Sequence, residues 1–465
     1  MSFLSVSRCL RVPAQLRLIV GLAPLFLAAS YPAEAQRTPA ADIVRNVVRN
    51  IEEARLGRTI NRLVGFGTRS TLSDQNSPSR GIGATRDWLY RSFLALEPIS
   101  NSRLVVEKQS FVQPAGRGMP SPITVTNVVA TLPGDLPAGH ERYVIVSGHY
   151  DSRCTNVMDG VHDAPGADDD GSGTAAVLET ARAMCPFHFH ATVVFMCVAG
   201  EEQGLFGSTY YSQQAHTHNW NVEAMLDNDI IGSSVGQNGV RDSRTVRLFS
   251  EGIASTETAL QARIRRAIGG EEDSASRQLA RFIKETANHF VRTIRVTLVA
   301  RRDRYLRGGD HIPFNERGYA AVRFTEPNED YRHQHQDVRT VNGVIYGDLP
   351  RFLDLAYLAK VARVNAAALA ALALAPDVPK GAGLVTSGLS VDTELRWSPS
   401  TDPNVAGYEV VWRSTTEPVW THARIVGKVT DYIVKGISKD NYFFGVRAVG
   451  SNGMKSPVAF PAPVR

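Results

Sequence analysis

The chain has 465 residues, 43% of them hydrophobic and 21% charged, with a formal charge of +5. That length supports one large globular domain and a smaller one, and a charge so mild and scattered excludes a nucleic-acid partner. The four cysteines show no metal-ligand spacing, which excludes a thiolate zinc site.

The first 35 residues read as a removable leader. Arg8, Arg11 and Arg17 precede the apolar run Leu18 to Ala29, and Ala33-Glu-Ala35 forms a small-residue cleavage site before Gln36. A secreted or periplasmic product is expected. The leader carries three arginines and one glutamate, so its removal lowers the charge by two, to +3. Cys9 leaves with it. The odd remainder, Cys154, Cys185 and Cys197, leaves room for one disulfide in an oxidising compartment, with the pairing undetermined. No later segment reaches about 18 uninterrupted apolar residues, so no membrane span is expected.

Helical spacing predicts helices over Asp42 to Ala54 and Ser79 to Leu96. Strand-like runs follow at Leu104 to Val106, Val125 to Leu132 and Tyr143 to Ser147. The third delivers His149-Tyr-Asp151. Ligands of open α/β sheets collect at such C-terminal strand ends, and Asp151 stands where it can accept the free imidazole N–H. Alone, this pair reads more simply as a hydrogen-bonded surface histidine.

Gly166-Ala-Asp168-Asp169-Asp170-Gly171-Ser-Gly173 is stronger. Three adjacent carboxylates repel one another unless a cation or a helix N-terminus compensates, and a helix is predicted from near Ser172 to Met184. The run Ala191 to Val198 is almost wholly apolar, as a central strand buried on both faces should be. It ends in Glu201-Glu202. Adjacent glutamates diverge there, one towards a metal and one towards the reacting water. Asp229 follows another apolar run. Residues 241–292 read as charged outer helices or an insertion, and Ile294 to Ala300 and Ala320 to Phe324 as further strands. His333 and His335 lie in a polar segment, and on a regular strand both cannot face inward.

A long Ala/Leu-rich helix over Asp348 to Leu374 closes the large domain, residues 36–374. Residues 375–382 form a linker, and residues 383–465 change to alternating β-rich runs with turns between them. The expected fold is α/β: a mostly parallel central sheet flanked by helices, followed by a small β-sandwich. The placement of Trp397, Tyr408 and Tyr442 resembles that of a fibronectin type III domain. Such a domain has carbohydrate, another surface or the larger domain itself as its expected contact.

All five clusters supply hard or borderline metal ligands, and one metal needs only three or four. Their joint occurrence predicts two metals sharing a ligand, with a spare carboxylate as base. Together with Asp229-Ile-Ile-Gly232 and the histidine segment, the strings at 148–151, 166–173 and 200–208 resemble the dizinc exopeptidase family that includes bacterial leucyl aminopeptidase and glutamate carboxypeptidase II. The likeness runs over roughly residues 40–372. It implies two zinc ions bridged by Asp169. His149 and Asp229 would complete one site, and Glu202 with a C-terminal histidine the other. Glu201 would be the general base, and Asp151 the partner of His149. His335 is preferred for the last ligand, with His333 as the alternate. The family's usual threonine after that histidine is missing here. Gly309-Asp310-His311 resembles a segment that walls the family's pocket. The implied activity is aminopeptidase action on peptide or protein substrates. A carboxypeptidase, a single-zinc glutaminyl cyclase-like acyltransferase and a non-catalytic binding protein are the alternatives.

Overall fold

The computed structural model describes residues 39–465, so the expected leader, residues 1–35, lies outside the described residues. Three helices open the fold: α1 (Pro39–Arg49), α2 (Glu53–Val64) and α3 (Gly81–Leu94). The single helix expected over Asp42 to Ala54 is broken in two. Ile51 is buried between α1 and α2, and the Glu52 amide donates to the Glu179 side chain at 2.8 Å, a contact that local periodicity does not encode.

Eight strands form the central sheet: β1 (Val105–Gln113), β2 (Ile123–Leu132), β3 (Tyr143–His149), β4 (Thr192–Val198), β5 (Val222–Asn228), β6 (Thr245–Ser250), β7 (Arg295–Val299) and β8 (Ala321–Thr325), in the order β1-β2-β4-β3-β5-β8-β6-β7. Four of the seven pairings are parallel, including the central run β4-β3-β5-β8. The antiparallel ones lie at β1/β2, β2/β4 and β8/β6. The sheet is therefore mixed, with a parallel centre. Side chains alternate across it. Val144 and Val146 of β3 face one core, and Ile145 faces the other.

Helix α4 (Gly171–Met184) and the last helix of the large domain join α1, α2, α3 and α8 (Ala275–Phe290) on the first face. That last helix, Leu355–Leu374, follows a short 3-10 turn at Pro350–Phe352 and is α10 in chain order. It is the one helix among the described residues long and apolar enough to cross a membrane, and most of it is buried in this core. The opposite face is covered by α6 (Phe206–Thr217) and the short α9 (Ile312–Asn315). Between β4 and α6 lies the single turn α5 (Glu201–Gly204). The surface helix α7 (Ala259–Ile268) precedes α8, and a hairpin of β9 (Arg339–Val341) and β10 (Val344–Tyr346) follows β8.

Residues 241–292 are not only outer helices. β6 runs through the sheet between β8 and β7, with Val246 and Leu248 in the core, and α8 packs Leu279, Ala280 and Ile283 onto it. Six residues with an arginine in the middle are too short and too charged to announce a strand. Arg247 is tolerated because it pairs with Glu329 at 2.8 Å.

The C-terminal residues form two sheets. One contains β11 (Gly383–Val385), β12 (Thr393–Arg396), β15 (Asp431–Val434) and β17 (Ala462–Val464). The other contains β13 (Val405–Ser414), β14 (His422–Gly427) and β16 (Tyr442–Gly450). Leu395, Trp397, Tyr408 and Phe444 pack between them. This part is docked on α8 and belongs to the same compact unit. Asp273 takes Arg281 at 2.8 Å and Arg413 at 2.8 Å, all three nearly inaccessible. Trp420 donates to Gln278 at 3.1 Å, and Arg447 bridges Glu409 and Glu285. The disulfide allowed by the cysteine count does not form among the described residues. Cys154, Cys185 and Cys197 are free thiols, buried in a loop, a helix end and a central strand.

Candidate metal centre

The parallel register sets the site. β3, β4 and β5 run side by side, with His149 opposite Val198 and Ser147 opposite Asp227. Their C-terminal ends therefore meet at one sheet edge, and residues 149–151, 200–202 and 229 leave it together.

The three consecutive aspartates diverge. Asp170 caps α4, accepting from the Gly173 amide at 2.9 Å, while its other oxygen accepts from the His149 amide at 3.0 Å. A β-carbon at Gly173 would fall 2.2 Å from the Asn228 carbonyl oxygen, so only glycine admits this close packing. Asp168 turns the other way and accepts from the Gly232 amide at 2.7 Å. Burial and the neighbouring Asp168 push Glu326 well above the usual carboxyl range, and its carboxyl accepts from the Ser233 amide at 2.7 Å. Asp169 alone faces the open edge. The Asp169–Asp170 peptide is cis.

Asp169 Oδ1 lies 3.2 Å from His149 Nε2, and its Oδ2 lies 3.0 Å from His335 Nε2. His335 Nε2 also lies 3.3 Å from Glu202 Oε2. On the other side, His149 Nε2 is 3.9 Å from Asp229 Oδ1 and 4.0 Å from Glu201 Oε2. Gly200 takes φ 77°, a left-handed turn that costs glycine little, and Glu201 and Glu202 follow it in α5. The structure thus brings together His149, Asp169, Glu201, Glu202, Asp229 and His335. His333 is not among them. Its ring stacks on Phe352 with centroids 3.6 Å apart, and its Nε2 faces Asp330.

Asp151 sits behind His149. The imidazole Nδ1 is 3.2 Å from the Asp151 carbonyl oxygen and 3.5 Å from its carboxylate, so the main chain of the expected partner is the nearer acceptor. Asp151 Oδ2 also accepts from Thr71 at 3.1 Å and from the Glu202 amide at 3.2 Å. With Nδ1–H so engaged, the neutral form of the ring would present its Nε2 lone pair to a cation at the cluster.

Burial works against the His149 imidazolium, but Glu201, Asp151, Asp169 and Asp229 together raise its pKa well above the ordinary value. Burial likewise opposes charge on His335, yet Glu202 and Asp169 push it up to about 11. Burial and the neighbouring Asp229 and Glu202 raise Glu201, despite the lowering effect of His149. So much negative charge calls for cations. Among the described residues, His149 Nε2, Glu202 Oε1 and Asp229 Oδ1 are buried and find no hydrogen-bond partner, a costly condition in protein alone. His149, Glu201 and Asp229 offer ligand atoms within 4.8 Å of one another, as do His149, Asp169 and Glu202. Imidazole and carboxylate donors at this spacing fit zinc.

Four supporting residues escaped the sequence reading. Arg323 is fully buried and holds Asp229 Oδ2 at 2.7 Å. A charged residue inside an apolar strand run was its one signal, since a buried charge requires a partner. Arg69, also fully buried, donates to the carbonyls of Tyr150 and Gly166 at 2.7 and 2.8 Å, tying the histidine loop to the aspartate loop. The Asp348 carboxylate accepts from the Asp169 amide at 2.7 Å, and Glu326 has been described above. For these last three no local pattern exists. Asp310, expected as pocket wall, is a buried carboxyl beneath the cluster, close enough to raise Glu201.

Residues 127–343, which contain all five clusters, match the model of peptidase family M28. A "Probable zinc metalloprotease" of Leptosphaeria maculans is 47% identical over 420 residues, covering 90% of this chain and 97% of that protein. The chain belongs to peptidase family M28. Another relative of the M28 peptidase, a "Probable zinc metalloprotease" of Pyricularia oryzae, is 47% identical over 431 residues, 91% of this chain and 85% of its own. In fold, the M28 peptidase resembles LapB of Legionella pneumophila, with a TM-score of 0.52 and 20% identity over 74% of this chain and 78% of that one. It also resembles the LapA aminopeptidase of the same organism, with a TM-score of 0.50 and 18% identity over 72% and 76%.

Proposed function

We propose that this M28 peptidase is a secreted, zinc-dependent aminopeptidase that removes N-terminal residues from peptides. The observation that carries the reading is Asp169, whose two carboxylate oxygens face His149 and His335 at 3.2 and 3.0 Å. One carboxylate between two imidazoles is the arrangement a shared ligand requires. His149 and Asp229 would hold one zinc ion, Glu202 and His335 the other, and Asp169 both. When bound, the two ions supply Lewis acidity that lowers the pKa of water and polarises the scissile carbonyl.

The chain's own groups do the rest. Glu201 stands at the cluster, 4.0 Å from His149 Nε2, and takes the proton of the attacking water as its oxygen bonds to the carbonyl carbon. It returns that proton to the departing amine as the C–N bond breaks. Asp151 keeps the His149 proton on Nδ1. Glu201, Glu202 and Asp229 line the cavity and offer negative charge to a free peptide ammonium, which supports N-terminal over internal cleavage.

The test is Glu201→Ala with zinc restored. Turnover should fall by about 10² to 10⁴, and near-wild-type turnover would remove Glu201 as the base. Aminoacyl substrates should be cleaved and their N-acetylated forms spared, with activity lost to chelator. Cleavage of the blocked forms would sink the aminopeptidase reading. Metal analysis should find two zinc ions per chain; one per active chain would favour the glutaminyl cyclase-like chemistry instead. Secretion predicts a mature protein in the medium whose N-terminus is Gln36.

A further inference from the structure

The cluster lies in a cavity of about 590 Å³. Every carboxylate lining that cavity, Asp169, Glu201, Glu202 and Asp229, belongs to the cluster. The remaining charge on its wall is positive and comes from separate stretches of chain: Arg117 between β1 and β2, Arg153 after β3, and Arg304 and Arg307 after β7.

These arginines are not equivalent. Arg304 is engaged by Asp303 at 3.2 Å, Glu329 at 3.3 Å and the Gly308 carbonyl at 3.2 Å, and is half-buried. Arg307 shares Glu329, at 2.7 Å, with Arg304 and Arg247, also donates to Gln334 at 3.4 Å, and is partly exposed. Among the described residues, Arg153 donates only to the carbonyls of Cys154 and Thr155, at 3.1 and 2.9 Å. Arg117 is exposed and makes no ion pair among the described residues. Three guanidinium groups with spare donors therefore face a cavity whose lining carboxylates, among the described residues, all belong to the cluster.

We infer that Arg117, Arg153 and Arg307 select a substrate carboxylate close to the scissile bond. The inference rests on the exopeptidase reading above. A guanidinium presents two parallel N–H donors that match a carboxylate, and it stays charged at any working pH. Two sources supply the same group: the acidic side chain of an N-terminal residue, or the free C-terminus of a short peptide. A neutral substrate offers this wall only uncharged carbonyl acceptors, which bind a guanidinium less strongly than a carboxylate does.

The experiment uses the zinc-loaded full chain with two substrate pairs, a glutamyl against a glutaminyl anilide and a leucyl dipeptide as free acid against its amide. In at least one pair the acid should be favoured by about tenfold or more in kcat/KM, the scale of a charge-assisted hydrogen bond. Preference in the first pair assigns the side chain, and in the second the C-terminus. Arg117→Ala and Arg307→Ala should each pull that ratio towards one. Equal rates within both pairs, with neutral substrates cleaved, would overturn the inference and leave the exopeptidase reading standing. If no substrate is cleaved, that reading fails, and calorimetric titration of glutarate into the same protein still decides the arginines. Affinity about tenfold weaker in Arg117→Ala supports them, and unchanged affinity overturns them. Arg117 is exposed and unpaired, so its removal leaves the fold intact.

Discussion

His335 sits in the left-handed region at φ 54°, an uncommon backbone for a residue with a β-carbon. The kink turns its ring to Asp169 and Glu202, while His333, two residues earlier, lies flat on Phe352. The two histidines should therefore respond differently to truncation. His335→Ala should lower zinc content from about two ions to about one per chain and abolish most turnover. His333→Ala should keep the zinc and lose only packing. Metal analysis of the two variants decides the matter, and the reverse pattern would require another ligand set. Asp151 acts one step removed, through His149 Nδ1. Its replacement by Ala keeps the nearer main-chain acceptor and removes only the carboxylate with its contacts to Thr71 and the Glu202 amide, so zinc binding should weaken by about tenfold, the low end of the usual cost of losing such a partner, which competition with a chelator would read.

The loop after β8 owes its shape to one carboxylate. Burial raises Glu329, but Arg304, Arg307 and Arg247 outweigh it and hold the group down at about 2. The folded value lies below the ordinary 4.5, so the stabilisation is complete above about pH 4.5 and is lost as pH falls through 2. A shift of that size corresponds to at most about 3 kcal/mol. Glu329→Gln should destabilise the protein at pH 7 by up to that amount and by much less near pH 2. Urea unfolding at both pH values checks this, and an equal loss at both would show that charge is not the cause. Glu329 also anchors Arg307, which reaches the cavity wall from the loop after β7, and its own loop leads on to His335, so the variant should also shift substrate preference.

Across the whole molecule, the C-terminal sheets are held against α8 by buried charge. Asp273 stands between Arg281 and Arg413, and Trp420 lies within cation–π reach of both arginines, at 5.8 and 5.3 Å. Asp273→Ala strands two buried guanidinium groups and should cost about 3–5 kcal/mol, measured by chemical denaturation. Deleting residues 376–465 removes Arg413 and Trp420 from α8 and should lower the thermal midpoint or solubility of the remainder. A truncated chain as stable as the full one would show that the docking contributes nothing.

Much of the fold and most of the candidate site were legible in the chain. Apolar runs of strand length ended in His149, Glu201 and Asp229, and glycines framed Asp168 to Asp170, because the local pattern that makes a buried parallel strand also places its exit residues. What the tertiary structure decided depends on contacts between distant positions. Ile51 and Glu179 split one helical pattern into two, and the sheet claimed β6 despite its arginine. The folded loop chose His335 over His333, and the three cysteines were left unpaired. Arg69 and Arg323 tie the site to residues more than eighty positions away, and the arginine wall gathers three loops that share no local signal. Local periodicity records which way a side chain faces along its own element; it carries no record of what a different element brings to meet it.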